Sequence, residues 1–367
     1  MDDVRPPRRT VPAGLGSDGR VRLALVVALV LVVQPGAVTN VTLLAAAALT
    51  ALLGASLRWR IDALALAALL LTGLGLRLAI GDRIGSDVLD IVEAAVRRTL
   101  AGGNPYGVGY DVSRPPGAPY VYGPLALLWY LPFSGLPRLA ELVAGTAILG
   151  ALALTRRPFG LAIYAAAPVL VQVTMDGAND TSAGLLILLS LGVAARRPMH
   201  GAVLLALAVA FKPYALAWAP PLLWWAGLPG VVAFAVTSLV AWAPVLFVWG
   251  PDSFLRSVQL ASTSHSSPDY SLGAVWEGVT GRPAPADLFE RAKVALGALS
   301  AAVGLRFASS IDGVILAGSA TFIVTLYAGY WSTFAYLAAV APILCWRIDD
   351  WVASRSGPGA ATVGAPT

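Results

Sequence analysis

The stretch GAVLLALAVAFKPYALAWAPPLLWWAG, residues 201–227, contains one charged residue, Lys212, in an otherwise apolar run. Pro213 follows that lysine directly, and a proline in a helix interior removes a hydrogen bond and clashes with the preceding turn. We therefore predict two apolar helices, 199–212 and 213–226, with a break at Lys212. Each approaches the length that a helix needs to cross a lipid bilayer.

The composition of the whole chain is that of a membrane protein. Of its 367 residues, 57% are hydrophobic and 12% are charged, whereas about 25% of the residues in soluble domains are charged. We predict an all-α polytopic membrane protein, a bundle of about twelve transmembrane helices. The other spans are expected at 21–36, 40–57, 61–79, 138–155, 159–174, 180–195, 228–249, 290–304, 309–327 and 330–346.

Arginines predict the orientation of this bundle. If residues 1–20 form a cytoplasmic tail, five arginine-containing turns fall on the cytoplasmic side, as the positive-inside rule requires. Residues 21–347 then form one transmembrane domain, and 348–367 a disordered cytoplasmic tail. Nucleic-acid binding is not expected despite the net charge of +5, because no polar surface interleaves basic and aromatic residues. The arginines concerned are Arg58, Arg60, Arg156, Arg157, Arg196, Arg197, Arg306 and Arg347.

Two segments, 81–137 and 250–289, are too polar to span and too long to be turns, and this topology places both outside. Long ordered loops in compact proteins are usually functional. The spacing of apolar residues in the first loop predicts a helix over 87–100. A shorter amphipathic stretch, Tyr120 to Phe133, is typical of an interfacial or re-entrant helix.

Asp87 opens the predicted helix of the first loop. One interpretation is a helix N-cap, in which Ser86 or Asp87 accepts hydrogen bonds from free backbone amides. The other is a general base at the mouth of a membrane cavity, where a carboxylate deprotonates an incoming hydroxyl. Asp90 and Glu93 are more typical of the solvated face of the same helix.

Asp176, Asn179 and Asp180 crowd the turn after the fifth predicted span. They are typical of a tight turn between two helices, with Asp180 or Thr181 as the cap of the second. Alternatively, their carboxylates and amide could hydrogen-bond the hydroxyls of a sugar.

Three cations are candidates for binding an anion. Lys212, one of two lysines in the chain, is either an interfacial anchor at a helix end or a cation presented to a phosphate. His265, in a Ser-rich part of the second outer loop, is either solvated or a ligand contact. Arg256 lies in the same loop and could assist an anion.

No cofactor or metal is expected. The chain lacks a Walker loop and a strand-framed GxGxxG, which are typical of nucleotide binding. Asp2-Asp3 and Asp349-Asp350 fall on the cytoplasmic side, so a divalent metal for a nucleotide sugar is not supported. The single cysteine, Cys345, cannot form an internal disulfide.

The order of the motifs resembles a known superfamily. Gly-Ser-Asp at 85–87, Asn-Pro-Tyr at 104–106, Tyr-Gly-Pro at 122–124 and Phe-Lys-Pro-Tyr at 211–214 occur in sequence. This pattern, over about residues 60–346, is similar to the GT-C glycosyltransferases, closest to glycosyltransferase family 87, which includes actinobacterial mannosyltransferases.

The resemblance implies a GT-C-like bundle and an inverting sugar transfer on the outer face of the bacterial plasma membrane. Mannose, or another hexose or pentose, would pass from a polyprenyl-phosphate donor to a hydroxyl of a glycolipid or glycan acceptor, among membrane lipids. Asp87 matches the catalytic base and Lys212 the Lys-Pro motif, and His265 with Arg256 would assist the donor phosphate. The sugar or acceptor is expected at Asp176, Asn179, Asp180, Asn104, Tyr106 and Tyr122.

The chain departs from the family in two places. Asp-Gly-Ala-Asn-Asp at 176–180 replaces the more usual Gly-Gln-x-Asn. The N-terminal part has either two additional helices or a first helix that is split in two, so the identity of the acceptor stays open. The alternative function is a transporter or flippase of a polar or lipid-linked substrate, since transporters also place charges at broken helices near the bilayer centre. The long outer loops and the absence of a visible inverted repeat favour the enzyme.

Overall fold

Apolar helices joined by short turns make up most of the structure, a computed structural model that describes residues 17–33, 39–59, 62–80, 86–262 and 269–355. Proline opens many of these helices, because its missing N–H is not needed in the first turn. The prediction of an all-α protein is confirmed. The α-helices of the described chain are α1 (Ser17–Val32), α2 (Asn40–Trp59), α3 (Asp62–Ile80), α4 (Val88–Leu100), α5 (Pro124–Tyr130), α6 (Pro137–Leu154), α7 (Pro158–Ala166), α8 (Pro168–Met175), α9 (Asp180–Ala194), α10 (Pro198–Phe211), α11 (Ala219–Pro244), α12 (Pro251–Ser262), α13 (Leu272–Thr280), α14 (Ala286–Gly304), α15 (Ile311–Tyr327) and α16 (Leu337–Arg355).

Only part of the predicted set of spans meets the length of a bilayer crossing. Among the described residues, three segments are long and apolar enough: Asp62–Ala79, Pro137–Leu154 and Pro213–Trp249. The pair α7 and α8, bent by 59°, adds a fourth if it counts as one broken span. Other apolar helices are shorter, such as α9 with 15 residues and α10 with 14, against about 20 for a full crossing. The predicted number of about twelve spans is not confirmed.

The surface of the bundle is apolar, as expected of a protein that lipid surrounds. Leu69 and Leu149 are fully buried between helices, whereas Leu71 is 64% and Phe247 78% exposed. A soluble monomer rarely exposes a large continuous apolar area. The structure therefore supports association with a membrane.

The segment Pro213–Trp249 doubles back at Gly227. A straight helix of its 37 residues would extend about 55 Å. The ring of Tyr122 nevertheless lies against Lys212, directly before the segment. Ring contacts of 5.3–5.6 Å lead from Tyr122 through Tyr120 and Tyr106 to Trp249 at the far end of the segment. Gly227 has φ 67° and ψ −168°, a conformation that interrupts the helix. Both ends of the segment therefore lie at the same end of the bundle, which we call the loop end.

At the opposite end of the bundle, arginines and aspartates form a network. Arg347 donates to both carboxylate oxygens of Asp312, at 2.7 and 2.9 Å, and also to Asp350. Asp350 also pairs with Arg157. Asp349 accepts from the backbone amides of residues 159 and 160, at the start of α7. We call this the arginine end; there, the Asp349-Asp350 pair already has protein partners.

The terminal helices differ from the prediction. The last span was expected at 330–346, but α16 begins at Leu337 and continues to Arg355, into the predicted tail 348–367. A 3₁₀ turn, Phe334–Tyr336, directly precedes α16. Before that turn, Ser332 N donates to Asp269 O at 2.8 Å, in the segment predicted as the second outer loop. Similarly, α1 begins at Ser17, inside the predicted tail 1–20.

The first outer loop has the predicted helices and one addition. The helix expected over 87–100 is α4, and the amphipathic stretch contains α5 followed by a 3₁₀ turn, Leu131–Phe133. Between them lies a two-stranded antiparallel hairpin, β1 (Gly109–Tyr110) and β2 (Ala118–Pro119). The second outer loop contains α12 and α13.

Candidate functional site

The start of α4 is fixed to the turn between α8 and α9. Ser86 N donates to Asp176 O, and Leu89 N donates to Gly177 O, both at 2.8 Å. Gly177 has φ 98°, and a Cβ there would lie 2.4 Å from Ser86 O, so the close approach requires glycine. These bonds place Asp87 beside the polar turn 176–180.

Asp87 occupies the N-cap position of α4, but its side chain does not cap the helix. Its Oδ2 instead accepts a hydrogen bond from the backbone amide of Arg114, in the hairpin loop. Ser86 Oγ accepts from Val88 N at 3.3 Å. The Asp87 side chain is partly exposed, and its Oδ1 has no hydrogen bond within the described chain. The Asp87 carboxylate is therefore fixed through Oδ2, and its Oδ1 is available to accept a hydrogen bond.

Lys212 lies at the break that Pro213 causes. α10 ends at Phe211, and Lys212 is extended, with φ −143° and ψ 112°. Its ammonium donates to Asn179 Oδ1 at 2.7 Å and to Asp180 Oδ1 at 2.8 Å. All three residues are buried, Lys212 with 6% of its surface exposed.

Three tyrosine rings enclose the same ammonium. The Lys212 Nζ lies 5.2, 4.8 and 5.7 Å from the ring centroids of Tyr122, Tyr214 and Tyr336. Cations are attracted to the faces of such rings. Tyr214 also donates to Asp180 Oδ1 at 2.7 Å. We call Lys212, Asn179, Asp180 and the three tyrosines the Lys212 cluster.

Tyr122, a member of the Lys212 cluster, lies close enough to Asp87 to feel its charge. Burial raises the pKa of the Tyr122 phenol well above its usual value, and the charges of Asp180, and more weakly Asp87, raise it further. The phenol therefore stays protonated, and it lies within electrostatic reach of both carboxylates. Next to it, Gly123 N donates to Phe211 O at 3.1 Å, which holds the Tyr-Gly-Pro motif against the broken end of α10.

Asp176 lies at the same turn, 2% exposed, and accepts from Ala178 N at 2.9 Å. Burial raises the pKa of its carboxyl from 3.8 to about 6, against the opposing effects of that hydrogen bond and of Arg138. The structure thus brings Asp87, Asp176 and the Lys212 cluster together at the loop end.

Asn104 and Tyr106 support the loop. Both N–H groups of the Asn104 amide are used, by Trp249 O and Ser253 Oγ at 2.9 Å, and its Oδ1 accepts from Tyr106 N. Tyr106 is 2% exposed and donates to Tyr122 O at 3.0 Å. Asn104 could donate to a substrate only if one of its two N–H bonds broke, whereas its Oδ1 keeps a second lone pair that could accept.

Two candidates for binding an anion remain, Arg256 and His265. Arg256 is exposed on α12, near the backbone of Gly107. His265 lies outside the described residues. No set of three or more His, Cys, Asp or Glu side chains in the described chain is placed to hold a metal ion.

Two buried charges were missed in the sequence, although each stands out in a predicted span. Arg77, fully buried in α3, donates to Gly73 O and Tyr164 O at 2.9 Å and to Thr174 Oγ1 at 3.2 Å. Glu141, fully buried in α6, accepts from Tyr130 and Ser182. A lone charged residue within an apolar span is itself a signal of function or structural constraint.

Comparison with protein-family models, with curated proteins and with solved structures gives no match. The site is therefore interpreted from its own geometry.

Proposed function

We propose that this chain is a membrane glycosyltransferase. It transfers a sugar, mannose or another hexose or pentose, from a polyprenyl-phosphate donor to a hydroxyl of a glycolipid or glycan acceptor, with inversion. Its arginine end faces the cytoplasm of a bacterial cell, as the positive-inside rule favours, and its loop end faces outward. The transfer takes place at the loop end of the bundle.

The observation that carries this proposal is the placement of Asp87. Its carboxylate is partly exposed, Oδ2 accepts from the amide of Arg114, and Oδ1 has no partner among the described residues. A general base needs a defined position and a free lone pair within reach of the proton it removes. Asp87 meets both requirements, beside a turn rich in polar side chains.

In the proposed step, Asp87 takes the proton of the acceptor hydroxyl. The acceptor oxygen then forms a bond to the anomeric carbon of the donor sugar from the face opposite the phosphate. The bond between that carbon and the phosphate oxygen breaks, and its electron pair leaves with the polyprenyl phosphate. This displacement inverts the anomeric carbon and consumes no further reagent.

The leaving phosphate needs positive charge nearby. Lys212 is the predicted cation, but its ammonium already has Asn179 and Asp180 as acceptors. It therefore acts on a phosphate only while sharing its charge with Asp180. Arg256, exposed on α12, is the freer of the two predicted cations within the described chain.

A transporter or flippase is the second candidate, and one observation favours it. The α7–α8 pair is bent by 59°, and α10 stops at a buried charge pair, as in transporters with discontinuous helices. Against it, Asp87, Asp176, Asp180 and Lys212 all lie at the ends of their helices, on one side of the bundle. Transporter sites lie near the middle of the membrane.

The test is a transfer reaction in membranes with and without the protein. Radiolabelled polyprenyl-phosphate mannose, and parallel donors with other hexoses and a pentose, are supplied with a lipid extract as the acceptor. We expect label to move from the donor into a new glycolipid or glycan only when the protein is present. Uptake or flipping of the labelled donor in proteoliposomes, without transfer, would support the transporter instead.

A further inference from the structure

The first turn of α9 lacks its usual cap. Asn179 occupies the N-cap position, where asparagine normally accepts a hydrogen bond from the amide of the second or third helical residue. Here its side chain makes no such bond, and its Oδ1 accepts from Lys212 instead. Asp180, the next residue, is also directed to Lys212. Both residues suited to capping α9 are thus used by the Lys212 cluster.

Glu141 takes the place of that cap from a different helix. Its Oε2 accepts from Ser182 N at 3.0 Å, and Ser182 is the third residue of α9. Its Oε1 accepts from Ser182 Oγ and from Tyr130 OH, at the end of α5. Trp129 Nε1 also donates to Ser182 Oγ at 3.0 Å. One carboxylate therefore joins α5, α6 and α9.

Burying the Glu141 carboxylate costs free energy, which other interactions must offset. The side chain is 0% exposed and has no ion-pair partner in the part of the chain that the structure describes. A buried carboxylate without a cation is strongly disfavoured unless hydrogen bonds compensate. Three donors and the positive end of the α9 dipole supply that compensation.

We propose that Glu141 is a positioning residue, which caps α9 from α6 and thereby frees Asn179 and Asp180 to hold Lys212. Glu141 does not touch Lys212; it acts through Ser182 and the first turn of α9. The inference rests on the proposed function only in that the Lys212 cluster belongs to the proposed site. The effect of Glu141 on Lys212 can be measured without any substrate.

Lysine labelling tests this directly, since the chain has two lysines. In the wild-type protein in detergent, a water-soluble amine-reactive ester should modify Lys293, whose side chain is 29% exposed. Lys212, with a side chain 8% exposed, should stay unmodified. Glu141→Met keeps a side chain of similar length but has no oxygen to accept from Ser182 N. We expect the labelling rate of Lys212 to rise about tenfold or more, with Lys293 unchanged.

The matched control is Thr146→Val, in the same helix. The Thr146 hydroxyl donates only within α6, to Leu142 O at 2.8 Å, so this variant should leave Lys212 protected. Equal protection of Lys212 in Glu141→Met and in wild type would overturn the inference. This readout uses no sugar donor, so it fails or succeeds independently of the transfer reaction.

If Glu141→Met does not stay monodisperse, hydrogen exchange of the backbone amides in the wild-type protein tests the inference instead. α15 has a side-chain cap, in which Gly313 N donates to Ser310 Oγ at 3.2 Å, whereas α14 begins at Ala286 without one. If Glu141 caps α9, the backbone amides in the first turn of α9 should exchange as slowly as those in the first turn of α15. Exchange as fast as at the start of α14 would contradict the proposal.

Discussion

Lys212 and Asp180 form an ion pair, with Nζ 2.8 Å from Oδ1 and side chains 8% and 3% exposed. The two residues come from the end of α10 and the start of α9, so the pair fixes the broken end of one helix to the first turn of the other. Removing two charges from water is costly, and such a pair is stable only with good geometry and further hydrogen bonds. Asn179 and Tyr214 supply those bonds.

Lys212→Met should destabilise the fold strongly, because it leaves Asp180 buried and unpaired. Breaking one side of a buried pair costs about 3–5 kcal/mol, and adding Asp180→Asn should recover part of it. Thermal unfolding in detergent measures both. The control is Lys293→Met, which removes the more exposed pair with Glu290 and should cost about 0–1 kcal/mol. If both variants lost the same free energy of unfolding, the buried pair would contribute no more stability than the exposed one.

Gly177→Ala should displace Asp87. Residue 177 has φ 98°, and the added Cβ would lie 2.4 Å from Ser86 O, so the bonds that dock the start of α4 must shift. We expect lower thermal stability and reduced transfer. Gly150→Ala is the matched control, because a Cβ there meets nothing within 4 Å and alanine favours the helix by about 0.5–1 kcal/mol. Wild-type transfer by Gly177→Ala would show that this docking is unimportant.

Asp176 should give the protein a characteristic pH dependence. Burial raises its pKa from 3.8 to about 6, so the folded protein holds this proton more tightly than the unfolded chain. The resulting stability is present below the unfolded pKa and is lost as the pH rises through the folded value. The melting temperature should therefore fall between about pH 4 and pH 7 more steeply for wild type than for Asp176→Asn. Asp90→Asn, at an exposed position, should keep the wild-type slope, and an equal slope in Asp176→Asn would contradict the assignment.

Cysteine labelling tests the orientation. The native Cys345 is buried, so background labelling should be low. Asp111→Cys, exposed in the hairpin at the loop end, should react with an impermeant maleimide in intact cells. Thr155→Cys, exposed at the arginine end, should react only after permeabilisation. The reverse pattern would place the site in the cytoplasm.

Local features of this fold could be predicted from the sequence. Pro213 indicated the break at Lys212, and the spacing of apolar residues indicated the helix that begins after Asp87, because both effects act within one or two turns of the chain. The start of α16 was not predicted, because the segment before it is apolar but holds a 3₁₀ turn, Phe334–Tyr336, and a contact of Ser332 with Asp269, which is distant in sequence.

The partners within the site could not be predicted for the same reason. Apolar periodicity shows which residues face a core, but it does not show that Lys212 pairs with Asp180 rather than with a ligand. The role of Glu141 could not be predicted, because its partner Ser182 lies 41 residues further along the chain.

The most direct measurement is the transfer rate of Asp87→Asn in membranes that contain equal amounts of folded protein. Asparagine keeps the size of the side chain and an oxygen that can accept from the Arg114 amide, but it removes the basicity. We expect donor binding to persist and transfer to fall by about 10²–10⁴-fold, while Asp90→Asn, on the exposed face of α4, stays close to wild type. Transfer by Asp87→Asn at the wild-type rate would contradict the assignment of Asp87 as the base and, with it, the proposed mechanism.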